Sequence, residues 1–124
     1  MSNELNIIGT EDSPTILFNK TKGTLSISGR SLPEDAFNFY EPVFEWLNNY
    51  FISPASETIF NFNLEYFNTS SAKQIFKIVN ALSVHSKKNK ISVIWHYDEG
   101  DKDMQGSGER FSKLSGMPIQ LIQN

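Results

Sequence analysis

The stretch "TIFNFNLEYFNTSSAKQIFKIVNAL" (residues 58–82) changes its hydrophobic period halfway along, and this change decides the fold class. Residues 58–66 alternate between apolar and polar side chains, which is the pattern of a strand with one buried face. Residues 71–88 instead repeat their apolar side chains at helical spacing, at Ala72, Ile75, Phe76, Val79 and Leu82. A strand that leads directly into a helix predicts an α/β unit, in which "FNTSS" (67–71) is the connecting turn.

The rest of the chain continues this alternation of strands and helices. Further strands are predicted at residues 15–18, 24–28, 91–97 and 119–122, and further helices at residues 34–51 and 103–114. The element order is therefore β-β-α-β-α-β-α-β, and its strand–helix–strand connections imply right-handed crossovers between parallel strands. We expect an α/β fold with a mixed sheet in one domain over residues 1–124, because this length suits a single core.

The side chains of the strand at 58–66 predict how the sheet is covered. One face of this strand is apolar and consists of Phe60, Phe62, Leu64 and Tyr66. The opposite face is polar and consists of Asn61, Asn63 and Glu65. A doubly wound sheet would bury both of its faces and would need continuous apolar runs. We therefore expect a two-layer sandwich with helices mainly on one face of the sheet.

The predicted helix at 34–51 has more apolar surface than a helix needs to cover a sheet. Pro33 suits the helix start, and the carboxylates of Glu34 and Asp35 would complement the helix dipole in the first turn. One apolar stripe is sufficient for the sheet: Phe37, Tyr40, Phe44, Leu47 and Phe51. A second stripe, if exposed, would be a partner-binding surface: Phe39, Val43, Trp46 and Tyr50. The alternative is that the second stripe is also buried, and the exposure of Trp46 distinguishes the two.

Composition excludes several classes of function. The net charge is −3 and the pI is about 5.3, whereas phosphate backbones require a basic surface, so we expect no nucleic-acid partner. The chain has no cysteine, which excludes disulfides and thiolate zinc sites. No apolar run approaches the roughly 20 residues of a membrane span, and the N-terminus lacks a signal-peptide pattern. We expect a cytoplasmic protein with no membrane partner and no cofactor.

Patterns for catalysis and metal binding are weak. The two histidines, His85 and His96, are not spaced with other residues as a metal site or a catalytic triad requires. The acidic segment 98–103 is a solvated connector or, as a sharper alternative, a Mg²⁺ site; its carboxylates are Asp98, Glu99, Asp101 and Asp103. The alternative to an interaction protein is a small enzyme or ligand-binding domain that uses the polar sheet face: Asn61, Asn63, Glu65 and His96.

The turn at 67–71 has more hydroxyl groups than a helix cap uses. Ser71 and Gln74 match the S-x-x-Q capping box, which predicts Ser71 as the N-cap of the helix. Thr69 and Ser70 would then lie just ahead of the first helical turn, where free N–H groups and the helix dipole favour an anion. A phosphoryl group would supply about −1.5 to −2 charges and several acceptor oxygens at this place. The pattern therefore predicts a turn that is switched by phosphorylation.

Three segments resemble the SiaC family of bacterial regulatory phosphoproteins: "LNIIGTEDSPTI" (5–16), "YFNTSSAKQI" (66–75) and "ISVIWHYDEGD" (91–101). In that family the threonine of the L/F-N-T-S-S motif is the phosphoacceptor, which implies Thr69 in this sequence. The resemblance also implies a dedicated serine/threonine kinase, a PP2C-type phosphatase and an effector that the unphosphorylated protein binds. In some systems of the family, this effector is a diguanylate cyclase.

The chain is also distantly similar to the STAS-domain anti-sigma-factor antagonists, whose phosphoserine lies in an Asp-Ser-Ser-Gly turn. This similarity implies a STAS-like sandwich in which the hydroxyl cluster opens the helix after the third strand. Superposing the STAS serine pair on Ser70 and Ser71 would make Ser70 the acceptor, although Ala72 stands where the STAS pattern has glycine. Thr69 is the first choice and Ser70 the second, because the more similar family uses the threonine.

Together these patterns predict a non-enzymatic interaction protein whose binding is controlled by phosphorylation. Asn68 and the second aromatic stripe are the predicted contacts with the partner, next to Thr69. A dianion placed in a desolvated contact weakens binding through like-charge repulsion or the cost of its burial. The carboxylates of segment 98–103 are expected at the same sheet edge, where they would reinforce this repulsion.

Overall fold

The computed structural model describes residues 2–124 and shows three helices on a six-stranded sheet. The strands are β1 (Glu4–Ile7), β2 (Thr15–Asn19), β3 (Thr24–Ser31), β4 (Thr58–Phe67), β5 (Ile91–Tyr97) and β6 (Ile119–Gln123). The helices are α1 (Ala36–Tyr50), α2 (Thr69–His85) and α3 (Lys102–Ser115). Within the described residues, none of the helices has the length and apolar character that crossing a membrane requires.

The sheet is antiparallel in its first part and parallel in its second. β1, β2 and β3 pair antiparallel, whereas β3, β4, β5 and β6 pair parallel, and the spatial order follows the chain. Each parallel pair is joined through one helix. Right-handed crossovers repeated in one direction place successive helices on the same face of a sheet, and α2 contacts both α1 and α3. The predicted two-layer α/β sandwich with a mixed sheet is confirmed.

The predicted element order lacks one strand, β1. This strand lies at the sheet edge and pairs only with β2, with Leu5 opposite Phe18 and Ile7 opposite Ile16. Its four residues alternate between exposed and half-buried side chains. A short edge strand buries little apolar surface, so its alternating pattern is weak and a prediction from hydrophobic periodicity misses it.

One hydrophobic core fills the space between the sheet and the helices. The strand side chains that point toward the helices are buried: Ile16, Phe18, Leu25, Ile27, Phe60, Phe62, Leu64, Val93 and Trp95. Aromatic rings contact one another within this core, and the ring centroids of Phe62 and Trp95 are 5.1 Å apart. Complete burial of one such side chain contributes about 1.5–3 kcal/mol, so this face of the sheet supplies much of the stabilisation.

A bulge near the end of β4 reverses the predicted orientation of Tyr66. The register between β3 and β4 shifts after Leu64, so that Arg30 lies opposite Tyr66 and Glu65 is the extra residue. Tyr66 is consequently 49% exposed, and the prediction that it points into the core is wrong. Phe67 packs against the core instead. Because a bulge re-aims the residues that follow it, it also sets the direction in which the chain enters α2.

α1 begins later than predicted. Its N-cap is Asp35, whose carboxylate accepts a hydrogen bond from the backbone N–H of Asn38 at 3.1 Å. Glu34 and Asp35 therefore precede the helix, and the prediction that they lie in its first turn after Pro33 is wrong. The side chain of Asp35 satisfies a free N–H group of the first turn directly, and this bond sets the helix start.

The second aromatic stripe of α1 is buried, so the predicted partner-binding surface is wrong. Val43 and Tyr50 are 0% exposed, Trp46 is 4% exposed, and Phe39 is half-buried. Burial is compatible with the polar tip of Tyr50 because its hydroxyl lies 2.7 Å from the hydroxyl of Thr58. Helical periodicity identifies two adjacent apolar stripes, but only the packing of the helix on the sheet decides which one is covered.

The first stripe of α1, which was expected to cover the sheet, is divided between core and surface. Tyr40 and Leu47 are buried, whereas Phe44 and Phe51 are half-buried. Phe37 is 61% exposed. α1 is thus rotated about its axis relative to the prediction, and the side that carries Phe37 and Phe44 lies next to α2 at the surface.

Candidate functional site

The turn between β4 and α2 lies at the sheet edge where the carboxyl ends of the parallel strands meet. This is the edge where ligands usually bind in α/β sheets. Asn68, in the middle of the turn, has an extended backbone, with φ −86° and ψ 176°. Its backbone N–H donates to the carbonyl of Ser31 at the end of β3, at 3.1 Å. The turn is therefore tied to the neighbouring strand.

Asn68, and not Ser71, is the N-cap of α2. The side-chain Oδ1 of Asn68 accepts a hydrogen bond from the backbone N–H of Ser71 at 2.9 Å, and its carbonyl accepts one from Ala72 at 2.9 Å. The predicted capping box of Ser71 and Gln74 is therefore wrong, and α2 begins at Thr69. Asparagine caps helices as well as serine does, and Asn68 comes first in the chain after β4.

Thr69 and Ser70 are the first two residues of α2, and both are exposed. They belong to the first helical turn, whereas the sequence pattern predicted them just ahead of it. The first backbone N–H groups of a helix have no partner within the helix, and the dipole is positive there. Since the first turn of α2 contains no acidic residue, the helix itself supplies no negative charge at this end.

Ser71 is completely buried and belongs to a chain of three hydroxyl groups. The Oγ of Ser31 donates to the Oγ of Ser71 at 2.8 Å and lies 2.6 Å from the hydroxyl of Tyr40. Because a serine hydroxyl has a single proton, Tyr40 must be the donor to Ser31. The chain joins α1, β3 and the first turn of α2. Burial raises the pKa of Tyr40 to about 12, and the hydrogen bond with Ser31 opposes this shift more weakly.

An open cleft of about 720 Å³ lies between the N-terminal ends of α1 and α2. Glu34 and Asp35 line it on the α1 side, and Ser70, Lys73 and Gln74 line it on the α2 side. The cleft therefore has carboxylates on one side and an ammonium group on the other. The side chain of Gln74 is almost fully buried, whereas Ser70 and Lys73 are exposed.

The acidic segment after β5 makes structural hydrogen bonds. Asp101 is the N-cap of α3, and its carboxylate accepts from the backbone N–H of Met104 at 3.0 Å. The carboxylate of Asp98 accepts from the side-chain amide of Asn124 at 2.9 Å. Among residues 2–124, no three histidine, aspartate or glutamate side chains converge in an arrangement that could hold a metal ion. The Mg²⁺ alternative is therefore not supported by the fold.

The polar face of the sheet is open to solvent. His96 Nε2 lies 3.2 Å from the side-chain oxygen of Asn61, and Asn63 and Glu65 are exposed. Asn61 borders a depression of about 400 Å³ that extends toward β1 and β2 and away from His96. An enzyme or ligand-binding site requires a pocket that encloses its polar groups. The side chains of Asn61, Asn63, Glu65 and His96 do not enclose such a pocket together.

Three residues of the site were not identified from the sequence: Ser31, Tyr40 and Lys73. Ser31 lies 40 residues before Ser71, and no local pattern connects the two. Lys73 follows Thr69 by four residues, which places it on the same side of α2 one turn later. That spacing was visible in the sequence and is the signal that could have identified Lys73.

Comparison with known proteins gives a consistent result. The model of the SiaC family of regulatory phosphoproteins matches residues 7–124. An uncharacterized protein of Pseudomonas aeruginosa strain UCBPP-PA14 is 28% identical over 119 residues, which are 95% of this chain and 94% of that protein. The sequence similarity therefore covers nearly all of both proteins.

Two solved structures have the same fold. SiaC of Pseudomonas aeruginosa superposes with a TM-score of 0.89 at 27% identity, over 100% of both chains. The crystal structure of the diguanylate cyclase SiaD in complex with its activator SiaC, from the same species, gives a TM-score of 0.90 at 26% identity. That alignment covers 97% of this chain and 99% of the other. The structural similarity thus includes the helices as well as the sheet.

Proposed function

Because this chain belongs to the SiaC family of regulatory phosphoproteins, we propose that phosphorylation of Thr69 switches its binding to an effector protein. One observation carries this proposal: Thr69 is an exposed hydroxyl on the first residue of a helix that has a neutral cap and no acidic residue in its first turn. A phosphoryl group adds about −1.5 to −2 charges at pH 7, and a helix N-terminus favours such charges. In this proposal the protein acts by binding and is not itself an enzyme.

Three partners are proposed: a serine/threonine kinase that modifies Thr69, a PP2C-type phosphatase that reverses the modification, and a diguanylate cyclase as the effector. The cyclase is supported by the Pseudomonas aeruginosa complex, in which SiaC is the activator of the cyclase SiaD. The kinase and the phosphatase are supported by the family's description as regulatory phosphoproteins. The unphosphorylated form is the one proposed to bind the effector.

The proposed contact surface includes Asn68, Thr69 and Ser70 at the start of α2. A phosphate on Thr69 would accept hydrogen bonds from free N–H groups of the first turn and from the ammonium group of Lys73. In the unmodified protein, these donors remain available to a partner. An effector that covers the turn would also have to desolvate the new dianion. Both effects weaken binding of the effector to the phosphorylated form.

The surroundings of the two exposed hydroxyls favour Thr69 over Ser70 as the acceptor. Ser70 lines the same cleft as Glu34 and Asp35, so a phosphate on Ser70 would face two carboxylates. Thr69 lies outside the lining of that cleft. Like charges that face one another across the cleft repel, which makes the phosphorylated product less favourable at Ser70.

The test is to incubate the protein with a candidate serine/threonine kinase from the same organism and to map the modified residue by mass spectrometry. We expect phosphate on Thr69 in the wild type and no phosphate in Thr69→Ala, with Ser70→Ala as the matched control that is still modified. Binding to the cyclase is then measured by calorimetry. The phosphorylated wild type should bind at least about tenfold more weakly, which corresponds to 1.4 kcal/mol.

Thr69→Ala should remain folded and bind the cyclase whether or not the kinase is present. Its fold is expected to survive because the side chain of Thr69 is exposed and is not part of the hydrophobic core. Two outcomes would contradict the proposed switch. The kinase could still abolish binding of Thr69→Ala to the cyclase, or the wild type could carry its phosphate on Ser70 and none on Thr69.

A further inference from the structure

The last strand of the sheet, β6, pairs with β5 on one side and with no strand on the other. It lies at the end of the strand order, and within residues 2–124 its only strand neighbour is β5. A free strand edge presents unpaired N–H and C=O groups, which form a template for pairing with another chain. The free edge of β6 is therefore a candidate interaction surface, and it is separate from the turn at 67–71.

The backbone of β6 directs the polar groups of every second residue toward the free side. The N–H of Asn124 donates to the carbonyl of Tyr97 in β5 at 2.8 Å, so the even-numbered positions of β6 point toward β5. Successive residues of a strand direct their N–H and C=O groups to opposite sides. The residues that present both groups to the free side are therefore Ile119, Leu121 and Gln123.

The two edges of the sheet differ in their protection against pairing. Natural edge strands are blunted by short length, by charged side chains or by proline within the strand. β1 has four residues, and one of them is the charged Glu4. β6 has five residues without a charge, and the uncharged segment extends over 117–124. Pro118 precedes β6 at an even-numbered position, so its missing N–H removes no donor from the free side. The edge of β6 thus lacks the usual protection.

β6 is held in place by contacts at its end and in its middle. At the end, the side-chain amide of Asn124 donates to the side-chain oxygens of Asn63 at 3.2 Å and Asp98 at 2.9 Å. In the middle, α3 lies so close that a Cβ on Gly108 would come within 2.7 Å of the side chain of Leu121. A strand that is already ordered loses little conformational entropy when another strand pairs with it.

We propose that β6 pairs antiparallel with β6 of a second copy of this chain, so that two six-stranded sheets join into one. In the symmetric register, Leu121 lies opposite Leu121 of the second copy, and Ile119 lies opposite Gln123 of the second copy. Each of these residue pairs exchanges two backbone hydrogen bonds, so every group on the free side of β6 is satisfied. No charged side chain opposes another, and the half-buried Leu121 side chains meet at the two-fold axis.

Other registers satisfy fewer groups. A shift of two residues in one direction places Gln123 opposite Met117, whose N–H already donates to Ser115 Oγ at 3.1 Å and whose carbonyl accepts from Ser112 Oγ at 2.6 Å. A shift in the other direction places Ile119 beyond the end of the second β6. The symmetric register is also closed, because both copies use the same edge and no free β6 edge remains.

This inference goes beyond the proposed function and does not rest on it. The pairing uses no residue of the turn at 67–71, so Thr69 stays exposed in both copies. A two-fold axis perpendicular to the sheet reverses the strand direction. The two turns therefore lie at opposite ends of the joined sheet.

The experiment measures sedimentation equilibrium and amide hydrogen exchange of the full, unmodified chain from about 10 µM to about 1 mM. A pair of five-residue strands is a small interface, so we expect a reversible dimer that forms at high micromolar concentrations. The amides of Ile119, Leu121 and Gln123 should exchange at least about threefold more slowly at the highest concentration. The amides of Gln120 and Ile122 bond to β5 and should be protected at every concentration.

A matched pair of substitutions at Gln123 tests the backbone hydrogen bonds. Gln123→Pro removes an N–H on the free side, keeps the bonds to β5, and should raise the dissociation constant of the dimer at least about tenfold. Gln123→Ala keeps this N–H and loses only an exposed side chain, so it should change the dissociation constant less than about twofold. Amide spectra of β5 check that both variants are folded.

Single-cysteine variants determine the register, because the chain has no cysteine of its own. A cysteine then cross-links only to the same position of the second copy, and this requires Cα atoms within about 7 Å. Leu121→Cys should form a disulfide-linked dimer under mild oxidation. In Gln120→Cys and Ile122→Cys, equal positions are diagonal neighbours about 7–8 Å apart, so cross-linking should be at least about tenfold slower.

Several outcomes would overturn the pairing. They are a single species of 14.1 kDa at about 1 mM, exchange without the alternation between odd and even positions, equal dissociation constants for the two Gln123 variants, and fastest cross-linking at position 120 or 122. Slowed exchange at the odd positions that needs an added extended peptide, while the chain stays monomeric, would assign the edge to a foreign strand instead. No step uses a kinase or a cyclase, so failure here is distinguishable from failure of the switch at Thr69.

Discussion

Two turns leave the same sheet edge and open helices in a similar way, but they differ in charge. In the turn before α2, the neutral side chain of Asn68 caps the helix, and in the turn before α3 the carboxylate of Asp101 does so. The capping bonds have nearly the same length, 2.9 Å to Ser71 and 3.0 Å to Met104. α3 also has Asp103 in its first turn, whereas α2 has no acidic residue there.

This difference shows which helix is free to gain a charge. The dipole of α3 is already complemented by two carboxylates, so another anion there would be repelled. α2 has an exposed hydroxyl at its first position and no charge to offset its dipole. A phosphate on Thr69 would therefore supply negative charge at the N-terminus of α2, as Asp101 and Asp103 already do for α3. Unlike those carboxylates, the phosphate could be removed again.

The two helix starts are also anchored to the core by different chemistry. The first turn of α2 is held by the hydroxyl chain from Ser71 through Ser31 to Tyr40. The first turn of α3 is held by the indole N–H of Trp95, which donates to the carbonyl of Met104 at 2.9 Å. An indole does not titrate in the accessible pH range, whereas a phenol does.

The largest expected effect is a loss of folding stability at alkaline pH, where the phenol of Tyr40 ionises and the indole of Trp95 does not. The pKa of Tyr40 is about 12 in the folded protein and 10.0 without burial, so the unfolded chain ionises first. The contribution of Tyr40 to the free energy of unfolding is fully present below pH 10. It is lost as the pH rises toward 12, which lowers the free energy of unfolding by up to about 3 kcal/mol. Denaturant unfolding at several pH values should show a steeper loss for the wild type than for Tyr40→Phe. If the free energy of unfolding fell equally with pH in the wild type and in Tyr40→Phe, the raised pKa of Tyr40 would be contradicted.

The second prediction concerns the hydroxyl chain that holds the first turn of α2, and it is tested at neutral pH. Ser71→Ala leaves the buried hydroxyl of Ser31 without its acceptor, and this should lower the free energy of unfolding by about 1–3 kcal/mol. The matched control is Ser70→Ala, one residue away and exposed, which should change stability by less than about 0.5 kcal/mol. Equal effects of the two substitutions in urea unfolding would show that the hydroxyl chain does not anchor the helix.

The smallest effect compares the first positions of α2 and α3, Thr69 and Lys102. Thr69→Asp should raise the free energy of unfolding by about 0.3–1 kcal/mol at low salt, because it adds the missing negative charge to the dipole. Lys102→Asp should give no gain, since the new carboxylate lies between Asp101 and Asp103. Added salt should reduce the gain at Thr69. A similar gain at both positions would remove the distinction between the two turns.

Much of the fold was predictable because its patterns are local. The alternation in β4 and the helical spacing in α2 were read from neighbouring residues, and the two-layer sandwich followed from the polar face of the strands. The edge strand β1 was missed because it buries little surface. The bulge at Glu65, which turns Tyr66 outward, also has no signal in hydrophobic periodicity.

The site was predictable only in part. The hydroxyl cluster identified the correct turn, but the cap was assigned to Ser71 where Asn68 performs that role. Serine and asparagine cap helices equally well, so the choice depends on where β4 ends. The partner surface of α1 was assigned to the stripe containing Trp46, which is buried, and Phe37 from the other stripe is exposed instead. Two adjacent apolar stripes look alike until a sheet covers one of them.

The amino-acid sequence by itself determined the α/β class, the connecting turn at 67–71 and the hydroxyl groups available there, because all of these depend on residues close together in the chain. The tertiary structure alone decided how those hydroxyls are divided, leaving Thr69 and Ser70 exposed and burying Ser71 against Ser31. It also decided which side of α1 faces solvent. Both outcomes depend on contacts between distant segments, and such contacts form only when the helices pack on the sheet.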